Sequence, residues 1–268
     1  MLQLVLAAVI PSLPAVSGGV ALAPAAVATM VVAVAPGGAE DAENAAPIVL
    51  PAMANDDPDD DGIVAPPDPV EGCHEDLEAA GVQFSPSRIP VHKNKGGAFL
   101  CGAEQVVRYS KGPGKIRWRG SPKVACGMAL ALARFESAIQ EEAEREFGVR
   151  VAKIVHMGTY NCREMAAYPG WVSEHSYANA LDIKTFVLTN GREVTVRHGW
   201  KTLDVAQSES KSRAKRRAAQ DARFLRAVAH RAFDEDHFSV VLTPNFDAAH
   251  RSHFHLDLAR YRVDGTTP

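Results

Sequence analysis

The placement of charge along the chain limits what can fold. Residues 1–39 carry no charged side chain, residues 40–70 carry nine acidic and no basic ones, and the first Lys or Arg is Arg88. A run such as Asp56-Asp57-Pro58-Asp59-Asp60-Asp61 repels itself and has no apolar surface to bury. Pro66-Pro67-Asp68-Pro69 stiffens its end. Three regions are therefore expected: an apolar targeting or disordered segment over 1–39, an acidic disordered linker over 40–70, and one folded domain over 71–268. About 200 residues suffice for a domain with a sizeable core.

The whole chain has 29 basic and 32 acidic residues, so removing the nine acidic ones before position 71 leaves 29 against 23, or +6 for the domain. A mildly basic domain suits an anionic polymer such as cell wall, although it is also an ordinary charge for a solvated surface. The apolar start has two runs, 2–16 and 20–35, broken by Pro11, Pro14 and Pro24. It lacks the positive opening of a secretory signal, and Pro24 follows the small-x-small triplet Ala21-Leu22-Ala23. Export is nonetheless the expectation: a periplasmic, membrane-tethered or secreted protein, with the apolar segment associating with membrane. A misassigned start or a disordered apolar tail is the other reading.

Four cysteines, Cys73, Cys101, Cys126 and Cys162, all fall in the expected domain, and none forms a Cys-x-x-Cys pair. An even count at wide spacing suits two disulfides in an oxidising compartment. The expected pairing is Cys73 with Cys101 and Cys126 with Cys162. Structural zinc sites usually draw on closely spaced pairs, which are absent here.

Ser121-Pro122 reads as a helix start, and Met128, Leu132, Phe135, Ile139 and Ala143 follow as an apolar stripe ending at Gly148. A helix is expected over about 122–147. Alternation over 149–155 predicts a strand leading to Tyr160, Cys162 and Arg163. Asn190-Gly191 predicts a tight hairpin between strands at Asp182–Leu188 and Glu193–Arg197. Phe224, Leu225, Val228 and Ala232 mark a second amphipathic helix, and the last two strands are expected at Val240–Leu242 and Ser252–Leu258. The basic run Lys211–Arg217 has no interleaved aromatic and reads as a solvated helix face, so no nucleic-acid partner is expected. The fold class is α+β: helices packed on one face of an antiparallel sheet.

Two segments carry chemistry. Ser173-Glu174-His175-Ser176-Tyr177-Ala178-Asn179-Ala180-Leu181-Asp182 offers an imidazole and a carboxylate. His250-Arg251-Ser252-His253-Phe254-His255-Leu256-Asp257 offers two imidazoles at i and i+2, with a third nearby. In an extended strand His253, His255 and Asp257 share a face, while Phe254, Leu256 and Leu258 take the other. Two His and one Asp are a common ligand set for a zinc ion that keeps a position open for water. A lone His on a strand is usually a surface residue; it is the two segments together that point to a metal.

The run Ser173-x-His175-x-x-Ala178-x-Ala180-x-Asp182 resembles the signature of zinc D-Ala-D-Ala peptidases, and His253-Phe254-His255 resembles the His-x-His element of the wider lysostaphin- and hedgehog-like group. A closer resemblance is to the bacterial extensin-like C-terminal domain family. It rests on Gly158-Thr159-Tyr160-Asn161-Cys162-Arg163, Ser173–Ile183, Phe224-Leu225-Arg226 and His250–Asp257, and covers roughly residues 71–260. The resemblance implies a hedgehog- or D-Ala-D-Ala-peptidase-like fold with Zn²⁺ held by His175, Asp182 and His255. It implies His253 as proton acceptor and Arg163 as a grip on a substrate carboxylate or carbonyl. Asp257, Ser173 and His250 would support the ligands. Two departures stand out: Ala178 occupies a position usually held by Gly, and Ser252 one where the peptidases often carry a catalytic Glu. The implied function is a zinc peptidase or amidase acting on peptidoglycan or another cell-wall peptide. The alternatives are a non-catalytic zinc-containing wall-binding or structural module, and a metal-free scaffold.

Overall fold

A computed structural model describes Pro66, residues 69–201, Val205 and residues 212–267. The expected apolar segment and most of the expected acidic linker lie outside these residues, as does Lys211 of the basic run. Among the described residues no helix is long and apolar enough to cross a membrane.

The elements in order are α1 (Cys73–Ala79), β1 (Gln83–Lys93), β2 (Leu100–Lys111), β3 (Arg117–Trp118), β4 (Lys123–Ala125), α2 (Cys126–Phe147), β5 (Val151–His156), β6 (Ala180–Leu188), β7 (Glu193–Thr195), α3 (Val196–Gly199), α4 (Arg213–Asp234), β8 (Val240–Leu242), β9 (Phe254–Asp257) and β10 (Val263–Gly265). A short 3₁₀ turn, Glu174–Tyr177, precedes β6. The ten strands form one sheet in the order β1-β2-β3-β5-β6-β9-β8-β10, with β4 beside β2 and β7 beside β6. The class is α+β. The sheet is mixed rather than purely antiparallel, because β3 runs parallel to β5 and β10 parallel to β8.

Among the described residues, helices α1 to α4 all send buried side chains into one core cluster on the sheet, among them Leu77, Phe135, Val196 and Phe224. The α2 stripe is buried as its spacing requires, and Gly148 closes the helix in the left-handed conformation, φ 68°. Emptying a site such as Phe135 would cost roughly 3–5 kcal/mol. Helix α2 begins at Cys126, four residues later than Ser121-Pro122 suggests. Lys123–Ala125 pair with Arg108, Val107 and Val106 instead, and Val124 is fully buried. Ser121 itself has φ 47°, which a capping serine does not adopt. The strand at Glu193 stops at Thr195, where α3 turns Val196 into the core. Residues 213–217 open α4 and are exposed, as a solvated face should be.

Two disulfides are present, with a pairing that differs from the expected one: Cys73–Cys126 and Cys101–Cys162. Sequence neighbours are not spatial neighbours here. Cys73 opens α1 and Cys126 opens α2, so their bond clamps the two helix starts. Cys101 lies on β2, and its bond ties that strand to the segment before Arg163.

Strand β6 contains an extra residue. Ile183 faces His156 and Thr185 faces Val155, so Lys184 has no partner on β5. The bulge shifts the alternation by one. Leu181 and Ile183 before it, and Phe186 and Leu188 after it, all reach the same core. Asp182 is left on the opposite face.

Candidate metal centre

Strand register builds the site. On β6 and β9, Asp182 stands directly opposite His255, and Leu181 opposite Leu256. Leu181, Ile183, Phe254 and Leu256 are buried in the core cluster, which forces Asp182, His255 and Asp257 onto the other face. Directly paired residues bring their side chains within contact. His175 arrives from the 3₁₀ turn. That turn ends at Ala178 with φ 53° and ψ 24°, and Ala178 N–H donates to His175 O at 3.3 Å. Ala178 therefore uses the left-handed region that favours Gly, and an alanine there bears a cost of about 1–2 kcal/mol.

Three ligand-type atoms converge. His175 Nε2 lies 3.3 Å from Asp182 Oδ1 and 3.2 Å from His255 Nδ1, and His255 Nδ1 lies 3.1 Å from Asp182 Oδ1. A tetrahedral ion with bonds of about 2.0–2.1 Å requires ligand atoms about 3.3–3.4 Å apart, so this triangle fits such an ion closely. On its other ring edge, His255 Nε2 donates to Asp257 Oδ2 at 2.8 Å, while Asp257 Oδ1 accepts the Ala259 N–H at 3.0 Å. A carboxylate behind a metal-ligating imidazole fixes its tautomer and raises its basicity. A second grouping, His92 with Cys101 and Cys162, offers no ligand sulfurs because both cysteines are in the disulfide.

The electrostatics match a cation site. Burial disfavours the charged form of Asp182, but hydrogen bonds from His175 and His255 overcome it and hold the carboxyl well below its usual range. Burial likewise works against protonated His255, yet its hydrogen bonds to Asp182 and Asp257 raise it to about 10. His253 behaves differently. Its Nε2 is 3.6 Å from Asp182 Oδ1, and burial lowers its pKa more than Asp182 raises it. His253 is therefore neutral near pH 7, with Nδ1 3.4 Å from Ser252 Oγ.

The remaining expected residues are also nearby. His250 Nδ1 donates to Asp247 Oδ1 at 2.7 Å, and its ring centre is 5.3 Å from that of His253 and 5.8 Å from that of His255. Ser173 is buried beside the site but makes no side-chain cap; its backbone N–H donates to Arg163 O at 3.1 Å. Arg163 is exposed at the edge of the site, where Nη1 donates to Glu164 O at 3.0 Å. All of these except His175 line a cavity of about 260 Å³.

Sequence reasoning missed three contributors. Glu174 lines the same cavity, and burial together with the Asp257 charge pushes its pKa up to about 7. Asn179 Nδ2 ties Glu174 Oε2 at 2.7 Å to Leu258 O at 3.2 Å. Ser176 Oγ accepts from Arg163 N–H at 3.0 Å and packs against Arg163 O and Asn161 O, 2.9 and 3.2 Å away. Only Asn179 and Glu174 carried a signal, through their fixed places beside His175. A larger concavity of about 1010 Å³ lies at the far end of β6, between Asn190–Arg192 and the arginines of α4. It is open, and no metal-ligating side chain lines it among the described residues.

No curated protein and no solved structure matches the chain. The described fold and the site lie within residues 71–266, the stretch that matches the family described as Extensin-like protein C-terminus, and the chain belongs to that family.

Proposed function

We propose that this chain is a zinc-dependent peptidase or amidase acting on cell-wall peptides outside the cytoplasm, with a site organised as in hedgehog- and D-Ala-D-Ala-type zinc peptidases. The observation that carries the reading is the triangle of His175, Asp182 and His255 atoms at 3.1–3.3 Å, backed by Asp257 and open to a cavity. Bound there, zinc would lower the pKa of water towards about 7 and polarise a carbonyl.

The chain's own groups supply the rest. Neutral His253, with Nε2 turned towards Asp182, accepts the proton lost in attack and returns it to the leaving amine. Asp257 keeps His255 oriented with Nδ1 inward. Arg163 at the edge of the cavity offers a planar fork to a carboxylate or carbonyl. The two disulfides agree with an oxidising compartment.

One observation favours a second reading, a zinc-containing module that binds wall without cleaving it. Ser252 stands where the peptidases often carry Glu, and its hydroxyl lies against His253. The deciding experiment is metal analysis of the purified protein, paired with release of peptides from peptidoglycan with and without chelator. A zinc-loaded, folded protein that releases nothing from several wall types selects the binding module.

A further inference from the structure

The face that carries the candidate ligands continues across two more strands, and its chemistry changes there. Pairing sets up two rows. Asp182 faces His255, His255 faces Leu242, and Leu242 faces Gly265. One step along, Asp257 faces Val240, and Val240 faces Val263. The ligand half lies on β6 and β9, and the apolar half on β8 and β10. Val241, between Val240 and Leu242, points the other way into the main core.

The apolar half is a cluster of its own. Val240, Ala259 and Val263 are buried, with Leu242, Phe246 and Tyr261 packed on them. Gly265 makes room for it. A Cβ there would stand 3.1 Å from the Phe246 ring and 2.9 Å from Val241 O. Met165 and Tyr168 also line the cavity, and the Tyr261 hydroxyl has Met165 Sδ, a weak acceptor, at 3.8 Å. The space of about 260 Å³ falls below the ~300–1,000 Å³ of typical ligand pockets. It suits one side chain rather than a stretch of polymer.

We propose that this cavity is a specificity pocket for a single apolar side chain adjoining the group held at His175, Asp182 and His255. The substrate class is thus a peptide with a branched aliphatic or comparably sized apolar residue beside the cleaved bond. Arg163 stands at the cavity's edge, but an acidic side chain reaching past it would meet Glu174 and Asp257, which also line the cavity and disfavour it. The inference rests on the zinc reading above.

The test uses the zinc-loaded full chain and three metal-binding probes: glycine, leucine and aspartate hydroxamates, titrated by calorimetry. Leucine hydroxamate should bind on the order of 10- to 100-fold more tightly than glycine hydroxamate, with the aspartate compound weakest. Ala249→Trp, at an exposed position lining the cavity, should narrow the leucine–glycine difference while zinc content stays at one per chain. Leu242→Asn should do the same from the floor, and Ala249→Trp covers the case in which that strand does not tolerate a polar group. Equal affinities of the three probes, or a preference for aspartate, with zinc in place would overturn the pocket alone. Absence of zinc would bring down the pocket and the zinc reading together.

Discussion

Asp257 grips His255 from behind: Oδ2 accepts from Nε2 at 2.8 Å while Nδ1 on the other ring edge faces Asp182. The two residues are neighbours on one face of β9, so the strand itself sets the geometry. If His255 is a zinc ligand, Asp257→Ala should weaken zinc binding about 10–100-fold without unfolding the protein. Asp257→Asn, which keeps an acceptor oxygen, should lose less. Competition with a chromophoric chelator reads both. Unchanged affinity in Asp257→Ala would separate this pair from the metal.

Substitution of His175, Asp182 or His255 by Ala should each remove the single zinc. His253→Ala should keep it and lose about 10²–10⁴-fold in turnover, since proton transfer is typically worth that much. Arg163→Ala should act chiefly on KM for peptides ending in a free carboxylate. Metal content and steady-state kinetics separate these roles, and full zinc occupancy in all three ligand variants would refute the assignment.

A pH effect on stability should arise far from the site, at Glu136 on α2. It is fully buried, with Trp118 Nε1 and Tyr109 Oη donating to its Oε1 at 2.8 and 3.1 Å. Burial outweighs these bonds and pushes its pKa from 4.5 up to about 7. The folded state therefore holds this proton where the unfolded state has lost it. The contribution is complete below pH 4.5, declines as pH rises to about 7, and is then gone. Its span is about 3 kcal/mol. Glu136→Gln should flatten that part of the stability profile in urea titrations run across the range. An equally steep profile in the variant would assign the slope to other groups.

Non-reducing peptide mapping should recover Cys73 linked to Cys126 and Cys101 linked to Cys162. The linked residues are 53 and 61 positions apart, so each bond should contribute about 4 kcal/mol in the loop-entropy picture. The two should differ in function. Removing Cys101–Cys162 loosens the segment that bears Arg163 and should weaken substrate binding as well as lower Tm. Removing Cys73–Cys126 should lower Tm alone.

Ala178→Gly should leave stability within about 1 kcal/mol of the parent. Relief of the left-handed alanine, about 1–2 kcal/mol, is offset by loss of a buried methyl, about 0.8 kcal/mol, and by the greater chain entropy of glycine. Chemical denaturation measures the difference, and a large loss would mean that packing on Ile89 and Val106 dominates.

The elements with strong periodicity or turn chemistry were legible in the sequence: the α2 stripe, the Asn190-Gly191 hairpin, and the strand that puts His255 and Asp257 on one face. The β1–β2 hairpin was not, although it is the longest pairing in the sheet. Most of β1 is exposed, so it carries no inside–outside alternation to read. The three residues of β10 gave too short a pattern. Four cysteines allow three pairings, and only the approach of α1 to α2 chooses among them. Ser121-Pro122 misled because β2 offered Lys123–Ala125 a ladder that local propensity cannot anticipate.

The unpaired Lys184 in β6 has a consequence for how the protein can change. A strand of this sequence that alternated strictly would have to give one of its halves to water. With one residue out of step, the half bearing Asp182 and the half bearing Phe186 each keep their own parity. Deleting Lys184 would restore strict alternation, with Ile183 and Phe186 still on the core side; a Lys184 paired in regular register would instead turn one half outward. One extra residue thus lets the same strand hold Asp182 opposite His255 at one end and Phe186 in the core at the other.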